Sequence, residues 1–128
     1  MRVLVFGTFD RLHPGHKFLL TEAGKRGDLT VVVARDANVR RIKGRLPTQN
    51  ESERAEEIRR AFPRAGVILG DSEDYLRPIR EQMPDLILLG YDQQLPPGIR
   101  EEDFSCLTER LPAYKPERFK SSIRRGNP

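Results

Sequence analysis

Cysteine is nearly missing from this chain. One residue of that type among 128 rules out an internal disulfide and fits a reducing compartment, so the expected location is the cytoplasm. Cys106 would be a nucleophile only with a partnered base, and both histidines lie elsewhere, so it reads as a buried or half-buried packing residue. There is no apolar run of about 18 residues and no charged-then-apolar leader, so no membrane span and no export signal is expected. With 2 histidines and 1 cysteine, a structural zinc site wanting four nitrogen or sulfur ligands has too few donors. Neither the Gly-x-Gly-x-x-Gly fingerprint nor the P-loop pattern occurs, which removes both of those phosphate-binding devices. The net charge of +4, with 23 basic residues, invites a nucleic-acid reading. Those residues are dispersed, however, and lack the interleaved aromatics of single-strand binders. A site for polyphosphate small molecules explains the same excess.

What is present is concentrated in the stretch from Val3 to His16. Val3-Leu4-Val5-Phe6 is wholly apolar, as a strand buried on both faces would be. Gly7 follows, where a ligand or another backbone segment can come close. Pro14 suits the first turn of a helix that is expected to run to about Lys25, with Phe18, Leu19, Leu20 and Ala23 facing the core. The product is a strand, a short loop and a helix N-terminus, where free N–H groups and the positive dipole end attract anions. His13 and His16 at that terminus read as phosphate ligands, as plain capping residues, or as a metal pair for which only Asp10 is a nearby third ligand.

Further along, elements alternate. A second strand is expected over Leu29–Ala34, then a mixed segment Arg35–Pro47. A helix over about Gln49–Ala61 would be opened by a Thr48-x-x-Glu51 capping box. A third strand at Gly66–Leu69, a helix near Tyr75–Gln82 and a fourth strand at Leu86–Leu89 follow. Alternation of this kind implies an α/β fold: a Rossmann-like doubly wound parallel sheet with helices on both faces. Residues 1–122 are read as a single domain, with 123–128 as a short basic tail. Ile99–Leu111 reads as a helix and Pro112–Tyr114 as an edge strand. Ligands of such sheets sit beyond the carboxyl ends of the strands, where Asp36, Asp71 and Asp92 occur here. Asp71, beside Ser72, Glu73 and Asp74, reads as a turn former. Lys43-Gly44-Arg45 has the composition of a phosphate-gripping loop or of solvated surface.

The spaced pattern Gly7-Thr8-Phe9-Asp10-x-Leu12-His13-x-Gly15-His16 resembles the signature of the cytidylyltransferase-like nucleotidyltransferases, whose hallmark is His-x-Gly-His. Within them the chain is similar to the small single-domain members, the archaeal-type FAD synthetases and the glycerol-3-phosphate cytidylyltransferases. Gly90-Tyr91-Asp92-Gln93 resembles the Gly-x-Asp element that lines the family's nucleotide pocket, and Gln93 is closer to the FAD synthetase type. Val33-Ala34-Arg35-Asp36 leans the same way. The resemblance is weakest after Gln94. There, Arg118 with Ser121 and Ser122 resembles a second signature that grips the β- and γ-phosphates, with a spacing shorter by about one or two residues. Lys115 and Lys120 are alternatives to Arg118.

This resemblance implies transfer of a nucleoside monophosphate from a triphosphate to a phosphorylated small molecule, with release of pyrophosphate. ATP and FMN are the first choice of substrates. CTP with glycerol 3-phosphate, or with another phospho-alcohol or sugar phosphate, is the alternative. His13, His16, Lys43 and Arg118 would be the catalytic set. Gly7, Thr8, Phe9, Asp10, Gly15, Gly90, Asp92, Gln93, Ser121 and Ser122 would bind the nucleotide. Arg35, Asp36, Arg45 and Arg54 would face the acceptor. Mg²⁺ would arrive on the triphosphate rather than in a protein cage, and a homodimer is implied. A phosphate acceptor is mostly dianionic at pH 7, its second pKa being about 6, so no general base is required. A non-catalytic nucleotide-binding regulatory module stays open: the shortened tail favours it, the intact histidines oppose it.

Overall fold

The structure, a computed structural model, describes residues 1–114. Five parallel strands form one sheet: β1 (Arg2–Gly7), β2 (Asp28–Val33), β3 (Gly66–Leu69), β4 (Leu86–Leu89) and β5 (Leu107–Arg110), in the order β3-β2-β1-β4-β5. Between them run α1 (Pro14–Arg26), α2 (Asp36–Lys43), α3 (Glu51–Ala61) and α4 (Arg77–Gln82). The chain starts in the middle of the sheet and steps outward to β3. It then crosses back over two strands to β4. Right-handed crossovers in opposite directions must lie on opposite faces. Accordingly, α1 and α3 contribute Leu19, Leu20, Ala23, Ala55 and Ile58 to one core, while Ile79 of α4 and Phe104 belong to the other.

The strands divide their side chains between these cores with period two. Val3, Val5, Leu86 and Leu88 face α1 and α3, whereas Leu4, Phe6, Ile87 and Leu89 face α4. This two-sided burial is why β1 and β4 read as unbroken apolar runs. Fully burying a side chain such as Leu4 or Ile87 is worth about 1.5–3 kcal/mol, and both are 0% exposed. The order in which the chain adds strands reverses between β1 and β4, which pair in parallel only at Val3–Leu86 and Leu4–Ile87. Beyond that point the ladder pairing stops, and this is the topological switch point, where sheets of this kind place a ligand crevice.

Four expectations are corrected. The segment 35–47 contains α2, whose Asp36 and basic last turn complement the helix dipole and whose end is capped by left-handed Gly44. The capping box of α3 is Asn50 with Glu53, not Thr48 with Glu51. The backbone N–H of Thr48 is instead bound by Asp10. α4 begins at Arg77 rather than Tyr75, because Pro78 takes a first-turn position. Residues 99–111 are not a helix: a single 3-10 turn at Glu101–Asp103 leads into β5, and Pro112–Tyr114 is not a strand. As an edge strand, β5 has Leu107, Glu109 and Arg110 exposed, so it lacks the apolar run that marked β1 and β4.

Candidate active site

The loop from β1 to α1 is held in a costly shape. Phe9 and Arg11 both have φ of 55°, a left-handed conformation that costs a non-glycine residue about 1–3 kcal/mol. Several contacts hold it there. The Phe9 ring is buried. The Asp10 carboxylate accepts from Thr48 N at 2.8 Å and Gln49 N at 2.9 Å. Arg11 N donates to Gln49 Oε1 at 2.8 Å. Burial raises the Asp10 carboxyl pKa, but the two amides and the Arg54 charge outweigh it and leave the value lowered.

The helix start is capped by histidine side chains. His13 Nδ1 accepts from Gly15 N at 3.1 Å and His16 N at 3.3 Å, while His16 Nδ1 accepts from His13 N at 3.3 Å. This reciprocal arrangement stacks the imidazoles, with centroids 3.5 Å apart and planes 18° from parallel. A Cβ at Gly15 would press on the stacked ring, meeting His13 Cε1 at 3.0 Å. A Cβ at Gly7 would meet the Phe9 ring at 3.1 Å. Since each Nδ1 is an acceptor, the ring proton belongs on Nε2. Among the described residues neither Nε2 has a protein partner, so both remain available as donors. Burial, then the His13 ring, and also the charge of Lys43 depress the His16 pKa from 6.5 to about 4, with Asp10 opposing. His16 is therefore neutral near pH 7, a hydrogen-bond donor rather than a cation.

Behind this loop lies an ionic network centred on the buried Arg54. Arg54 is 0% exposed and spends its guanidinium on Thr8 O at 2.8 Å, Gln49 O at 3.0 Å and Asp36 Oδ1 at 2.6 Å. Asp36 also accepts from Glu51 N, and Asp36 N donates to Glu51 Oε1. Arg35 donates to Glu51 Oε2 and to Gly70 O. The expectation that Arg54 faces an acceptor is corrected accordingly, whereas Arg35 and Asp36 keep part of their side chains exposed. Arg54 has no exposed surface with which to touch a ligand, and all three tie the β1 loop to α2, α3 and the β3 end.

Across the switch point, Gln93 bridges the ends of β4 and β1. Its Nε2 donates to Phe6 O at 2.7 Å, and its Oε1 accepts from Gly90 N at 3.1 Å. Tyr91 and Asp92 are exposed on the turn between. Asp71 accepts from Glu73 N and Asp74 N and pairs with Arg77, which makes it a turn former. The two amides, then the Arg77 guanidinium, hold its pKa down at about 2.

A strand, a histidine-capped helix start and a switch-point crevice agree with what sequence comparison finds. A model of the cytidylyltransferase-like family matches residues 4–115. The chain belongs to that family. Among its relatives, an FAD synthase of Methanospirillum hungatei is 41% identical over 128 residues, covering 95% of this chain and 81% of the relative. One of Methanoculleus marisnigri is 43% identical, covering 89% and 79%. A solved structure described as a lipopolysaccharide core biosynthesis protein from Thermoplasma volcanium GSS1 superposes with a TM-score of 0.78. It is 35% identical, covering 90% of this chain and 98% of that one. As a cytidylyltransferase-like domain with such relatives, the chain is a nucleotidyltransferase.

Within this nucleotidyltransferase the structure gathers Gly7, Thr8, Phe9, Asp10, His13, Gly15 and His16 at the β1 end, with Lys43 close enough for its charge to act on His16. Gly90, Asp92 and Gln93 stand at the β4 end. Arg45 is exposed just past α2. Arg118, Ser121 and Ser122 lie outside the described residues, as do Lys115 and Lys120. Cys106 is half-buried, with burial pushing its thiol pKa up, so it is not an activated nucleophile. No helix among the described residues is long and apolar enough to cross a membrane. Sequence reading missed Glu51 and Gln49 as loop supports, and Arg110 altogether. A fixed-spacing signature cannot reveal partners brought together by tertiary contact. For α2, the Asp36 start and the Gly44 stop were an available signal.

Proposed function

We propose that the chain is an FAD synthase that transfers the adenylyl group of ATP to the phosphate of FMN and releases pyrophosphate. The observation that carries this reading is the stacked histidine pair, with both Nε2 edges unspent at the N-terminus of α1. An FMN phosphate oxygen attacks the α-phosphorus, the bond to the β-phosphate oxygen breaks, and pyrophosphate departs. The dianionic acceptor needs no base, so catalysis is alignment and charge stabilisation. His16 Nε2–H donates to the α-phosphate as charge builds, His13 Nε2–H holds the phosphate chain, and Lys43 offsets its charge. The neutral, half-buried His16 is already positioned as a donor when the charge develops.

Gly90, Asp92 and Gln93 would line the nucleoside, and Arg45 would face the acceptor. Arg118, Ser121 and Ser122 would reach the outer phosphates. Among the described residues no group of three or more His, Cys, Asp or Glu side chains could hold a metal ion. Mg²⁺ would arrive on triphosphate oxygens, where it would neutralise charge on the leaving group. Gln93, where an aromatic residue would suit the cytidylyl enzymes, favours ATP with FMN over CTP with glycerol 3-phosphate.

The test is pyrophosphate release with Mg²⁺, crossing ATP and CTP with FMN and glycerol 3-phosphate. Release with ATP and FMN alone is expected. Release with CTP and glycerol 3-phosphate would overturn the choice of substrates, and silence with tight ATP binding would point to a regulatory module.

A further inference from the structure

We propose that Arg110, the last residue of β5, is a positioning residue that shapes the nucleoside-binding turn. This rests on the reading that Gly90–Gln93 lines the nucleotide pocket. Arg110 is in register with Leu89, the last residue of β4, and Leu111 N donates to Leu89 O at 2.9 Å, so its side chain starts beside the turn. Its Nη1 lies 2.9 Å from Gly90 O and 2.8 Å from Gln93 O, with Tyr91 O at 3.4 Å. Nη2 is 3.2 Å from Glu101 Oε2, which tethers the guanidinium from the 3-10 turn. Three carbonyl oxygens converging on one point repel one another, and a cation among them is what makes that arrangement stable.

The consequence follows from peptide geometry. In a trans peptide the N–H points opposite to the C=O of the preceding residue, and no cis bond occurs among the described residues. Drawing Gly90 O and Tyr91 O toward β5 therefore turns the N–H groups of Tyr91 and Asp92 the other way. That is the side on which β1 and the crevice lie, since β4 stands between β1 and β5. Gln93 fixes the same turn from its inner end through Phe6 O and Gly90 N. Arg110 thus aims two backbone donors at the space a nucleoside would fill, suited to acceptor atoms of a base or ribose. It touches neither substrate, and its effect should fall on the nucleotide alone.

The experiment compares wild type, Arg110→Ala and Glu101→Gln in steady-state FAD formation, with ATP binding measured separately by calorimetry. For Arg110→Ala the KM and Kd for ATP should rise about tenfold, as expected for hydrogen bonds to a charged group lost. KM for FMN and kcat should stay within about twofold. Glu101→Gln, which loosens the tether only, should raise the ATP constants about two- to threefold, and it decides the matter if Arg110→Ala does not fold. Unchanged ATP constants, or ATP, FMN and kcat effects of equal size, would overturn the proposal. Wild type that binds ATP without forming FAD would refute the FMN reading only, and the Kd comparison would still test Arg110.

Discussion

Replacing Arg54 with Met is the most demanding test of how the β1 loop is held. The guanidinium has no solvent exposure and three protein partners: the carbonyls of Thr8 and Gln49 and the carboxylate of Asp36. Methionine fills most of the volume but satisfies none of them. Hydrogen bonds to charged groups contribute about 1.5–3 kcal/mol each, while the added apolar burial offsets part of the loss. Asp36 keeps Glu51 N as a partner and is 29% exposed, so water relieves some of its stranded charge. The net expectation is a loss of about 3–5 kcal/mol, the range for breaking one side of a buried ion pair. Against a total of about 5–15 kcal/mol for a domain of this size, that is a large fraction. Urea unfolding of wild type, Arg54→Met, Asp36→Asn and the double variant measures it. Asp36→Asn alone should cost less, and the cycle should give a coupling of about 2 kcal/mol. A loss below about 1 kcal/mol for Arg54→Met would refute the reasoning, because the carbonyls would then have other partners.

His16→Ala should lower turnover at least about a hundredfold by removing a transition-state donor. It should cost only about 0.5–2 kcal/mol of stability, as loss of a helix cap does; full activity in a folded variant would displace His16 from the mechanism. Stability should also fall with acid in a window set by that residue. The unfolded chain takes up its His16 proton near pH 6.5 and the folded one near 4, so native stability drops as pH falls through that interval. That interval sets a ceiling of about 3.4 kcal/mol, and partial solvent access reduces the expectation to about 1–2 kcal/mol. Urea midpoints at pH 7.5 and 5 should therefore shift more in wild type than in His16→Gln, and parallel shifts would dismiss His16 as the cause. Asp10, whose pKa is lowered, adds its loss separately, below its ordinary value of 3.8.

The elements legible from the chain are those with a local physical signature. Two-sided burial makes Val3–Phe6 and Leu86–Leu89 continuous apolar runs, and strand–helix alternation leaves little choice but a parallel sheet. The histidine site was equally legible, since His13, Gly15 and His16 act within one helical turn, where spacing in sequence is spacing in space. β5 was not legible, because its pairing with β4 depends on backbone bonds that Leu107-Thr108-Glu109-Arg110 does not advertise.

Residue type and local spacing by themselves determined the doubly wound class, the strand-end switch point and the histidine-capped helix start. Only the tertiary structure decided which charged groups face the crevice and which hold it up. Arg35, Asp36 and Arg54 have the composition of ligand contacts, yet a buried guanidinium among two carbonyls and a carboxylate is already satisfied. Arg110 gave no local sign of a role, yet it gathers the carbonyls of a turn that starts 20 residues before it. A charge is read correctly only with its partners, and those come from parts of the chain that sequence order keeps apart.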